Sequence, residues 1–128
     1  MKKQEPFGKQ IENNVVRSLR MNGVSVRTGG DLDHNHKIDF VLTLGSQMVG
    51  VQFTLTKDDA IKAKVAKICA RDVVPRFIYL SMSQGFFARP DRANGKVLYQ
   101  FLSRVAARYS QSALSISIDN RGPRIQAL

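Results

Sequence analysis

The stretch from Ile38 to Thr56, IDFVLTLGSQMVGVQFTLT, constrains the fold more than any other part of the chain. Two runs rich in β-branched and aromatic residues, Ile38–Leu44 and Val49–Thr56, flank a short turn at Gly45-Ser46-Gln47. Runs of this length joined by a glycine-containing turn read as an antiparallel hairpin. Everything else in the sequence has to be arranged around that pair of strands.

Ahead of the hairpin, Ile11, Val15, Val16 and Leu19 recur at helical spacing, with Arg17, Ser18 and Arg20 between them. This predicts a helix from about Gly8 to Met21, ended by Asn22-Gly23, two residues that tolerate left-handed backbone. Val24–Arg27 alternates as a short strand, and the polar segment from Gly29 to His36 reads as loop. After the hairpin, Thr56-Lys57-Asp58-Asp59 has the character of a helix start, with a hydroxyl cap and acids at the positive end of the dipole. Ile61, Val65, Ile68 and Cys69 would be its buried stripe. Pro75 then precedes an apolar strand, Arg76–Leu80, and this spacing fits a crossover to a parallel strand. Ser81 to Ala93 reads as loop, although Phe86-Phe87 requires cover. A second strong helical pattern runs through Val97, Phe101, Val105 and Tyr109. Leu114, Ile116 and Ile118 alternate with serines as a half-buried strand. The expected order is α-β-β-β-α-β-α-β on a mixed sheet, one α/β domain over residues 1–128, with residues 1–7 and 121–128 as loose termini.

Charge decides which functions such a domain suits. Twenty Lys and Arg stand against ten Asp and Glu, a formal +10 on 128 residues. That imbalance favours a polyanionic partner, because neutralising phosphates releases condensed counterions. One cysteine leaves no internal disulfide and no cysteine-rich zinc module. No apolar run approaches the roughly 18 residues of a membrane span. The opening MKKQEPFGKQ lacks an apolar core and is not expected to be a secretory signal. A cytoplasmic protein is expected, nucleoid-associated if DNA is the partner.

Three polar residues stand out against this background. Asp39 lies near the start of an apolar strand, where a lone carboxylate is costly without a cation or donors. Gln52 and Thr54, two apart, project from one face of the next strand. Position 52 falls near the level of residues 41 to 43, and strand twist or a bulge would bring its amide to Asp39. Glu12 borders the apolar stripe of the first helix, one turn before Val16. Each has a plainer role: Asp39 pairing with Lys37 or Arg27, Gln52 as a half-exposed strand residue, Glu12 pairing with Arg17 or Lys9. His34 and His36, two apart with no cysteine nearby, do not make a zinc set.

From Gly8 to about Leu80 this ordered set, with a basic helix following, resembles the PD-(D/E)XK nuclease superfamily. The resemblance implies a restriction-endonuclease-like α-β-β-β-α-β core, here with an added C-terminal helix and strand. It also implies a Mg²⁺ site (Mn²⁺ as substitute) held by Asp39, Gln52 and Glu12, and hydrolysis of DNA phosphodiesters. Mg²⁺ takes oxygen ligands, usually one or two carboxylates with phosphate and water. Two positions depart from the family pattern. Gln52 offers a neutral carbonyl, and Thr54 stands where a lysine is expected. Lys57 or Lys64 would have to replace that lysine; otherwise the domain binds without cutting. Lys57, Lys62, Lys64, Lys67 and Arg71, extended by Arg89 and Arg92, form the expected phosphate-contacting surface. A non-catalytic nucleic-acid-binding module, or a basic face for an acidic protein, remain open beside the nuclease reading. A homodimer would suit paired cuts on a duplex.

Overall fold

The stripe Ile11, Val15, Val16 and Leu19 is the buried face of helix α1 (Phe7–Arg20), each side chain at most 3% exposed. A computed structural model of the chain describes residues 7–28, 38–55, 75–110, 113–119 and 121–127. Within these, six strands follow in chain order: β1 (Val26–Thr28), β2 (Phe40–Leu44), β3 (Gln47–Thr54), β4 (Arg76–Met82), β5 (Ala113–Asp119) and β6 (Gly122–Ala127). A 3₁₀ turn (Gln84–Phe87) and helix α2 (Arg92–Arg108) lie between β4 and β5. The helix expected from Thr56 onward lies outside the described residues.

The six strands form one open sheet whose spatial order equals their chain order. The β1-β2-β3 meander is antiparallel, β3-β4 and β4-β5 are parallel, and β6 returns antiparallel to β5. The protein is therefore an α/β domain on a mixed sheet, meander first and parallel strands after, as the sequence predicts. The tail from residue 121 is a correction. It is not loose: Gly122 at φ 106° turns the chain, and Pro123 to Ala127 pair along β5. Pro123 is tolerated there because β6 is an edge strand, where a missing N–H breaks no ladder.

Alternation along the strands sorts the core. Phe40, Leu42, Val49, Val51, Ile78, Leu80, Leu114 and Ile116 share the face covered by α1 and α2. On the other face Val41, Phe77, Tyr79 and Ser115 are buried as well. All seven residues of β4 are buried, which is why its sequence shows no polar alternation. Phe87 is 2% exposed, so the loop aromatics find their cover in the core.

Polar bonds fix α1 against the segment leading into α2. Asn14 Nδ2 donates to the Phe87 carbonyl at 3.0 Å. The fully buried Ser18 hydroxyl donates to Asn14 O at 2.6 Å and accepts from the Asp91 N–H at 2.8 Å. Asp91 in turn caps α2 by accepting from Asn94 N at 2.9 Å. Ser18→Ala leaves a buried N–H without its acceptor. We expect a loss of about 1–3 kcal/mol, seen as a lower urea midpoint at unchanged slope.

Candidate functional site

Three elements meet at the carboxyl end of β3. α1 begins there, the residues leading into β2 pass beside it, and Leu55 leaves the strand there. Ligand sites in sheets with parallel strands favour such carboxyl ends, where the chain departs the sheet and leaves a crevice. Here an open cleft of about 370 Å³ is lined by Lys9, Glu12, Asp39, Gln52, Thr54 and Leu55, among others. The three groups singled out from the sequence thus share one cleft.

Local geometry explains each placement. The hairpin loop has two residues, Gly45-Ser46, not three, and Gly45 adopts φ 63°. Gln47 is already in β3, and the ladder runs Phe40↔Val51 through Leu44↔Gln47. Gln52 is therefore one step beyond Phe40, level with the start of β2 and not with residues 41 to 43. At that point the pairing slips. Asp39 N donates to Val51 O at 2.9 Å although the Cα partner of Val51 is Phe40, the offset of a bulge. The Asp39 carboxylate then accepts from the Phe53 N–H at 2.7 Å through Oδ2. Asp39 is half-buried between Ile38 and Phe40, both 0% exposed, so the strand cannot turn it outward without exposing them.

Glu12 is 5% exposed, an unusual burial for a carboxylate. Lys9 meets it from one turn earlier, Nζ to Oε2 at 2.6 Å. The plainer reading of Glu12, a partner for Lys9, is correct, and that pair stands inside the cleft. Lys9 is the residue that sequence reasoning passed over as a functional group. An i,i+3 Lys–Glu pair on a helix ordinarily signals a solvated face, and only the burial of Glu12 distinguishes this one.

Gln52 is half-buried, and its Oε1 has no hydrogen-bond partner among the described residues. A buried carbonyl left unpaired costs about 1–3 kcal/mol and calls for an explanation such as a bound water or ion. Ser103 Oγ is the other such atom among the described residues, but no described carboxylate lines the hollow beside it. Among the described residues the cleft groups able to ligate a cation are two carboxylates, one amide carbonyl and the Thr54 hydroxyl, all oxygen, which suits a hard divalent cation. Among the described residues no three His, Cys, Asp or Glu side chains gather.

The remaining expected site residues are not among the described residues that line this cleft. Lys57, Lys62, Lys64, Lys67 and Arg71 lie outside the described residues. Arg89 and Arg92 are exposed around the start of α2. That end of α2 sits against Ser18, six residues and ~9 Å along α1 from Glu12. Thr54 lines the cleft with a hydroxyl and no ammonium. A second hollow, about 210 Å³ and lined by Phe86, Val97, Phe101 and Ile118, is mostly apolar; Arg104 is the one charged residue among its described lining. No family model matches the chain, and neither does any curated protein or solved structure. Among the described residues no helix is long and apolar enough to cross a membrane.

Proposed function

We propose that this protein acts on nucleic acid, with DNA favoured, as a Mg²⁺-dependent phosphodiesterase of the PD-(D/E)XK type on a restriction-endonuclease-like core. The observation that carries the reading is the convergence of Glu12, Asp39 and the unpaired Gln52 carbonyl in one cleft at the rim of the sheet. The order of a helix, an antiparallel meander and then a parallel strand supports it. So does the formal charge of +10.

Asp39, Glu12 and Gln52 would hold the cation. When bound, Mg²⁺ supplies polarisation of the phosphate and a lowered pKa for the attacking water. The chain's own contribution is placement. The Phe53 N–H orients the Asp39 carboxylate, and Lys9 orients that of Glu12. Lys9 also supplies the ammonium that Thr54 lacks, from the helix instead of the strand, and this assigns to it the part foreseen for Lys57 or Lys64.

The same positions favour a second reading. A threonine and a neutral glutamine at the two family positions suit a domain that binds nucleic acid without cutting it. Two measurements separate the readings. Mn²⁺ is expected to raise the melting temperature of the wild type and not that of Asp39→Asn, since a ligand of the native state stabilises by RT ln(1 + [L]/Kd). Plasmid nicking in Mn²⁺ or Mg²⁺, lost in Asp39→Asn and reduced at least about tenfold in Lys9→Met, establishes the enzyme. A Mn²⁺ shift without nicking selects the binding module. With neither a shift nor nicking, the metal-site reading is wrong.

Gln52→Leu gives an independent check. Removing an unpaired carbonyl for an apolar side chain of similar volume is expected to raise stability without metal by about 1 kcal/mol. The Mn²⁺ shift should shrink in the same variant. Such an exchange of stability for binding marks a residue retained for its ligand.

A further inference from the structure

Leu55 borders both the cleft and a second hollow, about 160 Å³, at the carboxyl ends of β4 and β5. The sheet register aligns residues that line the two. Thr54 is level with Ser81, Ser81 with Ser117, and Ser117 with Arg124. Residues in register share a face, so three hydroxyls and a guanidinium form a row across four adjacent strands, starting in the cleft. At ~4.8 Å per strand, Ser117 is about 10 Å from Thr54.

The chemistry of that row suits an anion. Ser81 Oγ and Ser117 Oγ are 2.9 Å apart, and either can donate. Ser81 is 7% exposed and Ser117 more open. When the inner hydroxyl donates to the outer, Ser117 keeps its own O–H for a ligand. Arg124 closes the row. Its partner among the described residues is Asp119, 3.6 Å away, and both side chains are well exposed, 59% and 43%. An exposed ion pair this long holds its arginine weakly, and Asp119 is further engaged by the Arg121 N–H at 2.8 Å. Arg124 can therefore turn to a phosphate at small cost, and a guanidinium matches two phosphate oxygens at once.

We infer that Ser117, backed by Ser81, and Arg124 form a phosphate subsite, which holds a second phosphodiester of the same strand whose scissile group lies in the Glu12–Asp39–Gln52 cleft. The inference rests on the nucleic-acid reading above and adds the direction of the bound strand, along the carboxyl ends of β3, β4 and β5 toward β6.

The test is binding of the full chain to a short fluorescent DNA duplex, its single strand and the matching RNA, in EDTA over a range of salt. Arg124→Gln is expected to weaken binding about three- to tenfold at low salt. It should also lower the slope of log K against log salt by ~0.7–0.9, the value of one phosphate contact. Ser117→Ala should weaken binding less, with the slope unchanged, and Arg124→Lys should restore the slope but not the full affinity. Arg108→Gln is the control for bulk charge. Arg108 is exposed at the last turn of α2, near the amino end of β4, the opposite rim of the sheet. If Arg108→Gln and Arg124→Gln weaken binding equally, or Arg124→Gln changes nothing in a chain that binds, the subsite is wrong and the nucleic-acid reading stands. If the wild type binds neither DNA nor RNA, both fall.

Discussion

A Gly95→Ala variant is expected to be about 3 kcal/mol less stable than the wild type and to melt ~10 °C lower. A Cβ on residue 95 would sit 2.4 Å from the Ser18 carbonyl oxygen, 2.6 Å from its carbon and 2.9 Å from its Cβ. Two of these are backbone atoms of α1, which cannot rotate away as a side-chain tip does. Relief requires α1 and α2 to separate, and three hydrogen bonds tie α1 to α2 and the segment leading into it. They are Asp91 N to Ser18 Oγ at 2.8 Å, Asn22 Nδ2 to Arg92 O at 3.0 Å and Asn14 Nδ2 to Phe87 O at 3.0 Å. Alanine's better helix propensity, about 1 kcal/mol over glycine, offsets part of the cost. Thermal melts by circular dichroism measure the difference. A melting point equal to or above the wild type would mean that α1 and α2 can separate at little cost. If the cleft binds Mn²⁺ as proposed, a displaced α1, which carries Glu12, should weaken the Mn²⁺ shift as well.

Arg76→Met is expected to cost a similar amount, about 3 kcal/mol, by a different route. Arg76 opens β4 and is 9% exposed, a rare burial for an arginine. Its guanidinium donates to the carbonyls of Ala106 and Tyr109 at the end of α2, and more weakly to Gln47 Oε1 at 3.4 Å. A cation at a helix C-terminus meets carbonyls that have no partner inside the helix, and it complements the negative end of the dipole. One side chain thus ties the starts of β3 and β4 to the end of α2. Methionine keeps the volume and leaves those part-buried carbonyls without their donor. Arg76→Lys should lose about half as much, since an ammonium lacks the planar fork that reaches two carbonyls. Urea denaturation of the three proteins decides the point. Equal midpoints for Arg76→Met and the wild type would show that water reaches the helix end.

The elements that announce themselves in the sequence do so through repetition. The α1 stripe, the hairpin runs and the serine-alternating β5 each show a period that matches one backbone geometry. β6 shows none. Arg121-Gly-Pro-Arg-Ile-Gln has a proline, two arginines and one large apolar residue, and in isolation it favours no strand. It is a strand because the edge of β5 offers a ladder of unpaired N–H and C=O groups and Gly122 permits the reversal. Such context outweighs propensity. Gly95 was equally silent: a glycine inside a helical pattern reads as a small local penalty, and its purpose belongs to the other helix.

The candidate site divides along the same line. Asp39 and Gln52 were visible as polar residues on apolar strands, and Glu12 as an acid beside an apolar stripe, because burying such groups is costly. Residue type and period alone therefore determined the α/β class, the hairpin, the basic character and the three candidate polar groups. The two-residue loop and the slip at Asp39 decided which strand positions share a level. The crossing of α1 over the end of β3 decided that Lys9 enters the cleft with Glu12. The register across β3 to β6 decided that Thr54, Ser81, Ser117 and Arg124 stand in one row. These are relations between residues far apart in the chain. They are set by packing and by pairing between strands, for which a local period carries no signal.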